Sequence, residues 1–516
     1  MLRKILQGLK NAILNKQNLF SLLAGLAMVF AYAPFSFWWL AIIALATWCI
    51  QINGHSTKQA TQSSYFFGLG LFGAGISWVH VSIDQFGGMP LFASLFLMAL
   101  LCAYLAIFPA LSAFIAIKLS SDNRLNIWLL PSTWIATEWL RGWFLTGFPW
   151  LSIGYSQIDS PFAYLAPIIG EVGITFILMV IAVSICLVYS RQQLKAALSV
   201  IASSLLIVFI SSHFIFTLET GETKKVALVQ GNIAQELKWQ PDNEWPTMLK
   251  YLDLTRQNYG ADLFIWPESA VPAVEPLAGE FLELANSAAA LNNSAIVTGI
   301  LNYNFETKEY FNGLIVLGKK QLEDTEGSYY YPSSNRFYKH HLLPIGEFVP
   351  FQEWLRPIAP LFNLPKSSFS RGNYVQPNIM ANGIQLAPLI CFEIAFPEQL
   401  HANFHDSTDI LLTVSNDAWF GTSHGPHQHM EIARMRALEF GRPLLRSTNT
   451  GITAAVDHNG KFIEKIPQFE QGVLTTNVPL VEGRTPFSLY QRYPTFIAAI
   501  MLILLIIVRK RTQVKL

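Results

Sequence analysis

Long runs of apolar residues dominate the first 217 positions and return near the end of the chain. A helix needs about 20 mostly apolar residues to cross the hydrocarbon core of a bilayer, and the runs found here are separated by short polar connections. They predict eight membrane spans, at 18–34, 36–52, 64–82, 90–117, 126–140, 164–189, 196–217 and 491–508. We therefore expect a polytopic α-helical domain over 1–217, and a last span with a short cytoplasmic tail over 491–516.

Composition agrees with this class, because 52% of the 516 residues are hydrophobic and only 13% are charged. The basic start and the small-residue site Ala31-Tyr32-Ala33 could also belong to a cleaved signal peptide. A second apolar run follows at once, which favours insertion over cleavage. Cleavage would in any case leave the later topology unchanged.

Lys and Arg residues are concentrated at alternate ends of the predicted spans. Since cytoplasmic flanks carry the excess of these residues, both termini and the connection after every second span are predicted to be cytoplasmic. The basic flanking residues are Arg3, Lys4, Lys10, Lys16, Lys58, Lys118, Arg124, Arg191, Lys195, Arg509, Lys510, Arg511 and Lys515. The segment between the last two spans then lies on the opposite side of the membrane, which in a bacterial cell is the periplasmic side of the inner membrane.

The pattern changes within 218–490, where charges become frequent and short aliphatic or β-branched runs alternate with polar segments. Such runs, bounded by Gly, Pro or Asn, predict strands of an α/β domain. The strands are expected at Val226–Gln230, Asp262–Trp266, Ala295–Thr298, Leu314–Leu317, Gln385–Cys391 and Asp409–Val414. A helix is predicted over Gln428–Phe440, because Gly441 and Pro443 follow it.

Reactive side chains follow three of these strands. Glu268 comes after Trp266 and Pro267, Cys391 ends its own run, and Ser415, Asn416 and Asp417 follow another. In open α/β sheets, ligands gather at the carboxyl ends of the strands. We therefore expect these strand ends to meet at one site.

Cys391 is the only cysteine outside the apolar runs, so it is either a buried apolar side chain or a reactive thiol. A thiol attacks as thiolate and needs a base or a positive charge to help it. Glu268 can supply the base and Lys339 the charge that stabilises an oxyanion. Together the three side chains suffice for acyl transfer.

The ordered set of Trp266-Pro267-Glu268, Lys339 and Ile390-Cys391-Phe392-Glu393 resembles the Glu-Lys-Cys triad of the nitrilase superfamily. With the membrane part and the motifs 346–351 and 415–421, the chain resembles the apolipoprotein N-acyltransferase family in particular. The resemblance covers nearly the whole chain. It implies an αββα sandwich in the periplasmic domain, with no cofactor, no metal and no nucleic-acid partner.

The resemblance also implies a two-step reaction. Cys391 would take an acyl chain from a phospholipid, phosphatidylethanolamine in the family, and form a thioester. The amine of a diacylglyceryl-modified N-terminal cysteine on an apolipoprotein would then accept that chain. Glu268 would act as general base and acid, and Lys339 together with the backbone N–H after Cys391 would hold the oxyanion.

The resemblance further points to Trp239, Glu347, Phe392 and Glu393 as supporting residues. Glu347 and Glu393 are expected beside Lys339, where they would keep it charged and oriented. The family often has tyrosine directly after the cysteine, and this chain has Phe392 there. Any role of that hydroxyl is therefore absent.

Other interpretations of the same residues stay open. A membrane-anchored amidase would use the same triad with water as acceptor, and a transporter could carry an accessory domain. His340 and His341 are expected to play no catalytic part, and His427 and His429 to lie on the surface of a helix N-terminus rather than bind a metal. The apolar segment Phe351–Arg371 is predicted to be a loop that admits acyl chains at the bilayer surface.

Overall fold

The computed structural model describes residues 15–120, 125–344, 346–348 and 369–514. These residues form two compact units, one made of 15–84, 90–120, 125–214 and 489–514, the other of 85–89, 215–344, 346–348 and 369–488. The predicted loop at 351–371 lies outside the described residues except for its last three positions.

The first unit is helical. Asn15 caps the first helix by accepting a hydrogen bond from the Gln17 N–H, and a Ser56–Gln59 capping box begins the third. The helices are α1 (Lys16–Ala27), α2 (Trp39–Ile52), α3 (Thr57–Gly75), α4 (Leu91–Leu105), α5 (Ile107–Leu119), α6 (Leu130–Arg141), α7 (Ala166–Tyr189) and α8 (Leu194–Ser211).

Three helical runs in the described chain are long and apolar enough to cross a membrane: Leu91–Leu119, Pro161–Tyr189 and Leu194–Ser211. A fourth is possible if Thr57–Gly75 and Val79–Gln85, bent by 55°, form one span. These four coincide with predicted spans.

The other four predicted spans coincide with shorter helices. Lys16–Ala31, Trp39–Ile52 and Tyr493–Val508 are apolar but have only 10–17 residues, and α6 has 12. Length and composition therefore support three or four spans, and the total of eight stays a prediction.

The second unit contains thirteen strands within the described residues, and they form two sheets. They are β1 (Thr217–Gln230), β2 (Leu263–Ile265), β3 (Val271–Val274), β4 (Ala295–Asn304), β5 (Glu309–Gly318), β6 (Arg336–Tyr338), β7 (Ile379–Ala381), β8 (Ile384–Ile390), β9 (Ile410–Ser415), β10 (Leu444–Thr448), β11 (Thr453–Val456), β12 (Phe462–Ile466) and β13 (Gly472–Gly483). All six predicted strands are confirmed, although β1, β4 and β5 extend well beyond the predicted bounds.

The first sheet has the order β13-β1-β2-β4-β5-β6, with β3 paired to β4, and the second has the order β12-β11-β10-β9-β8-β7. The central pairs β1–β2 and β2–β4 are parallel, with Val226 opposite Leu263 and Leu263 opposite Ala295. In the second sheet β8–β9 and β9–β10 are parallel. Each sheet therefore presents carboxyl strand ends at one edge.

Alternation along the strands builds two apolar cores. Val226 and Leu228 on β1 pack with Leu386 and Leu412 between the sheets, whereas the neighbouring Ala227 and Val229 belong to a second core on the outer face of the first sheet. This is the period of two expected of a strand buried on both faces.

Helices cover both outer faces. The second core includes side chains from α9 (Pro241–Arg256) and α10 (Gly279–Leu291), and α11 (Pro397–Asn403) and α12 (Gly425–Phe440) pack on β8 and β10 of the second sheet. The chain ends in α13 (Pro486–Tyr490) and α14 (Tyr493–Val514). The second unit thus has the layer order α-β-β-α.

Candidate active site

Each of the three residues of the predicted triad lies just beyond the end of a strand. Glu268 lies three residues after β2, Lys339 directly after β6 and Cys391 directly after β8. The backbone N–H of Asn416, just beyond β9, donates to Glu268 Oε2 at 2.9 Å. Strand ends from both sheets therefore meet at Glu268, as the pattern of strand ends predicted.

Lys339 lies between two carboxylates. Its Nζ is 3.5 Å from Glu268 Oε1 and 2.8 Å from Glu347 Oε2, and its side chain is only 2% exposed. Burial disfavours the ammonium, but the charges of Glu347 and Glu268 outweigh it and raise the pKa of Lys339. Lys339 is therefore a fixed cation, and Glu347 lies beside it as expected.

Asn312 on β5 joins the two carboxylates. Its Nδ2 donates to Glu268 Oε1 at 2.8 Å and to Glu347 Oε1 at 3.0 Å. Sequence reasoning missed this residue, because one polar side chain within a strand gives no sign of what lies opposite it. Asn312 keeps both acceptors turned toward Lys339.

Cys391 occupies a left-handed backbone conformation, with φ of +54°, which costs a non-glycine residue roughly 1 kcal/mol. Burial and the charge of Glu268 raise the pKa of its thiol to about 12, and Lys339 opposes the shift. At neutral pH the resting group is therefore a thiol. A thiolate therefore forms there only if a base takes the proton. Of the two carboxylates that affect the titration of this thiol, Glu268 has the larger effect and Asp417 the smaller.

Glu393 accepts hydrogen bonds from three backbone N–H groups and from Gln399 Nε2, at 2.7 Å, rather than from the Lys339 ammonium. Its Oε1 accepts the N–H groups of His340 at 2.7 Å and of His341 at 3.0 Å, while its Oε2 accepts that of Ile390 at 2.8 Å. We had expected Glu393 to contact Lys339 directly and keep it charged and oriented, but its hydrogen bonds go to other groups. This buried carboxylate ties the segment after Lys339 to the strand end that carries Cys391.

The remaining predicted residues lie around this centre. Phe392 is buried and packs edge-to-face on Phe396, with 5.1 Å between ring centroids. The Trp239 side chain is 48% exposed, and its ring lies 5.9 Å from Lys238 Nζ. Because Lys238 donates to the Glu268 carbonyl at 3.0 Å, Trp239 is connected to the site through Lys238.

The two histidines after Lys339 contact groups other than the triad side chains. His340 Nδ1 is 2.7 Å from the Gly372 carbonyl, and the His341 ring stacks on Phe396 with 3.7 Å between centroids. Burial lowers the pKa of His341 to about 4, so its ring is neutral at physiological pH. The contacts described for the two rings therefore do not involve Cys391.

His429 corrects an expectation. It was predicted to lie on the surface of a helix N-terminus, but it is completely buried on α12, and its Nε2 is 3.0 Å from the carbonyl oxygen of Cys391. Within the described residues no group of three or more His, Cys, Asp or Glu side chains could hold a metal ion.

Two known protein families match this chain, one in each of the two units. Residues 225–485 match the carbon-nitrogen hydrolase family, which defines the class of the domain that carries Glu268, Lys339 and Cys391. Residues 24–184 match the apolipoprotein N-acyltransferase N-terminal domain. The chain is 49% identical to the apolipoprotein N-acyltransferase of Shewanella oneidensis over 95% of both chains.

Further relatives agree. The Photobacterium profundum enzyme of the same name is 47% identical, with 95% of this chain and 94% of that one covered, and the Haemophilus influenzae enzyme is 40% identical, with 98% and 97% covered. The chain belongs to the apolipoprotein N-acyltransferase family.

Among solved structures, a CN-hydrolase superfamily protein from Xanthomonas campestris is 16% identical with a TM-score of 0.34, covering 54% of this chain and 97% of that one. A carbon-nitrogen hydrolase from Helicobacter pylori is 15% identical with a TM-score of 0.36, covering 50% and 89%.

Proposed function

We propose that this protein transfers an acyl chain from a phospholipid to the N-terminal amine of a diacylglyceryl-cysteine on an apolipoprotein, by a ping-pong reaction at Cys391. The observation that carries the proposal is the cluster of Glu268, Lys339 and Cys391 in a chain of this family. The base and the cation are buried and share a hydrogen bond, and both affect the titration of the partly buried thiol.

In the first step the Cys391 sulfur attacks the acyl carbonyl carbon while Glu268 takes the thiol proton. The tetrahedral oxyanion is held by Lys339 Nζ and by the backbone N–H of Phe392. The ester C–O bond then breaks, and Glu268 returns its proton to the leaving alkoxide. Lysophospholipid departs and a thioester stays on Cys391.

In the second step the acceptor amine attacks the thioester carbonyl and gives a proton to Glu268. The C–S bond breaks, the proton passes to the sulfur, and the product is an amide. Lys339 stays charged throughout because Glu347 compensates it independently of Glu268. One site can therefore serve both steps without a net change in its charge.

The proposal extends to the surroundings of the site. We infer eight spans, a membrane domain over 1–217, a periplasmic catalytic domain over 218–490 and a last span with a cytoplasmic tail over 491–516, in the bacterial inner membrane. The distribution of Lys and Arg supports this orientation. Replacing the exposed Glu280 by cysteine tests it, since a membrane-impermeant maleimide should label that cysteine in intact spheroplasts, whereas labelling only after lysis would reverse the orientation.

Phosphatidylethanolamine is the proposed donor, and its use can be tested with the acceptor at the same time. The purified protein in liposomes receives a phospholipid with a labelled acyl chain and a peptide bearing an N-terminal diacylglyceryl-cysteine. Labelled peptide amide that is lost in Cys391→Ala is the expected result. Free fatty acid without acylated peptide would instead indicate the hydrolase alternative, and full transfer by Cys391→Ala would refute the proposed nucleophile.

A further inference from the structure

A completely buried histidine contacts the backbone of the proposed nucleophile. His429 Nε2 lies 3.0 Å from the Cys391 carbonyl oxygen. A carbonyl oxygen only accepts hydrogen bonds, so Nε2 carries the hydrogen and donates it. His429 belongs to α12 and Cys391 follows β8, so this bond joins two elements that are 38 residues apart in sequence.

Two charged neighbours hold the His429 ring in this tautomer. Arg446 Nη2 donates to His429 Nδ1 at 2.9 Å and to Asp417 Oδ2 at 2.8 Å. Asp417 Oδ1 lies farther from the same Nδ1, at 3.2 Å, and Nε2 faces a carbonyl oxygen, so Nε2 carries a hydrogen whichever of these contacts Nδ1 makes. Burial and the positive charge of Arg446 lower the pKa of His429. With Nδ1 accepting from a permanently charged guanidinium, the hydrogen of the neutral ring belongs on Nε2.

The bond to the Cys391 carbonyl also sets the direction of the next N–H. The peptide between Cys391 and Phe392 is planar and trans, so its C=O and N–H point in opposite directions. When His429 holds the carbonyl on one side, the Phe392 N–H is held on the other. Restraint is needed here because Cys391 has a φ of +54°, a region that non-glycine residues occupy only when surrounding contacts impose it.

We propose that His429 is a positioning residue that fixes the Cys391–Phe392 peptide and so aims the Phe392 N–H at the oxyanion. Asp417 and Arg446 act one step further out, by fixing the His429 ring. The proposal rests on the proposed function, since it takes Cys391 as the nucleophile. It assigns catalytic importance to a residue that never touches the substrate.

The test compares two reactions of Cys391 in the full-length protein. Acylation by a p-nitrophenyl ester forms a tetrahedral oxyanion and is followed by the burst of p-nitrophenol. Alkylation by iodoacetamide forms no such intermediate and is followed by mass spectrometry of the Cys391 peptide. Losing one oxyanion donor costs about 100-fold or more in rate. Because only acylation forms an oxyanion, this loss should appear in acylation and not in alkylation.

We expect His429→Leu and His429→Asn to slow acylation by about 100-fold, while alkylation stays within about threefold of wild type. His429→Gln should recover acylation to within about tenfold, since its amide N–H can extend to the position of Nε2. The asparagine variant keeps a polar side chain in case the leucine variant does not fold. Leu438→Ala, a buried position on the same helix, is the control for destabilisation and should leave the ratio of the two rates unchanged.

The proposal would be overturned if acylation and alkylation both slowed to the same extent in His429→Leu and His429→Asn. It would also be overturned if His429→Gln acylated as slowly as those two variants. Failure of the proposed function would look different. Cys391→Ala would then release the p-nitrophenol burst at the wild-type rate, whatever residue stood at position 429.

Discussion

Replacing Glu268 by glutamine should change two reactions of Cys391 in opposite directions. Acyl transfer needs a base that accepts the thiol proton, and the side-chain amide of glutamine cannot act as that base. Alkylation needs only thiolate, and the negative charge of Glu268 is the second-largest cause, after burial, of the raised thiol pKa. The substitution should therefore slow the first reaction and accelerate the second.

The magnitudes follow from the site. With a thiol pKa of about 12, roughly one Cys391 side chain in 1000 is ionised at pH 9, and each unit by which the pKa falls raises that fraction about tenfold. We expect at least a tenfold gain in alkylation at pH 9, and a loss of about 100- to 10000-fold in acyl transfer.

The assay follows carbamidomethylation of the Cys391 peptide by mass spectrometry at several pH values, beside phospholipid-to-peptide acyl transfer by the same preparation. Glu280→Gln removes an equal charge from an exposed position of α10 and should change neither rate. Alkylation that falls together with transfer would refute the reasoning, because Glu268 would then promote the resting thiolate rather than accept its proton.

Three further changes test the framework of the site. Glu393→Gln should lower the free energy of unfolding by about 4 kcal/mol, because one charge-assisted bond becomes a donor–donor conflict and the others weaken; urea titration in detergent measures this, and a loss below about 1 kcal/mol would contradict it. Gly299→Ala should abolish transfer and reduce stability, because the added Cβ would lie 2.4–2.7 Å from backbone atoms of 267–269. The control Gly279→Ala, where the added Cβ would have no atom within 4 Å, should change neither transfer nor stability. Cys391→Gly should be more stable than Cys391→Ala by roughly 1 kcal/mol, because glycine relieves the positive φ; equal melting temperatures would show that no strain is stored there.

The strand-end residues could be predicted because they depend on local pattern. Glu268 and Cys391 each follow a short apolar run, Lys339 lies in a recognisable motif, and the order of these motifs indicates the family. Glu347 could be placed beside Lys339 because the family resemblance indicated it, and it lies only eight residues away in the chain. The strands themselves were recognised as short aliphatic or β-branched runs bounded by Gly, Pro or Asn. Several extend beyond these runs because they pair with neighbouring strands, which the sequence alone does not reveal.

Residues that act across the fold could not be predicted in this way. Asn312 lies on a strand whose pattern says nothing about its partners, and His429 lies on a helix rich in charged residues that looks solvent-exposed. In the structure α12 is buried on nearly every face, and its charges pair inside the protein, as Arg436 does with Glu439 at 3.0 Å. Polar residues in a sequence indicate a surface only when they have no buried partner.

Trapping the acyl intermediate tests the central claim most directly. The protein is incubated with phospholipid in the absence of acceptor, digested, and analysed by mass spectrometry for a hydroxylamine-sensitive acyl group. The account predicts this adduct on the Cys391 peptide, its absence in Cys391→Ala, and its discharge when a diacylglyceryl-cysteine peptide is added. An adduct that persisted in Cys391→Ala, or one carried by another residue, would contradict it.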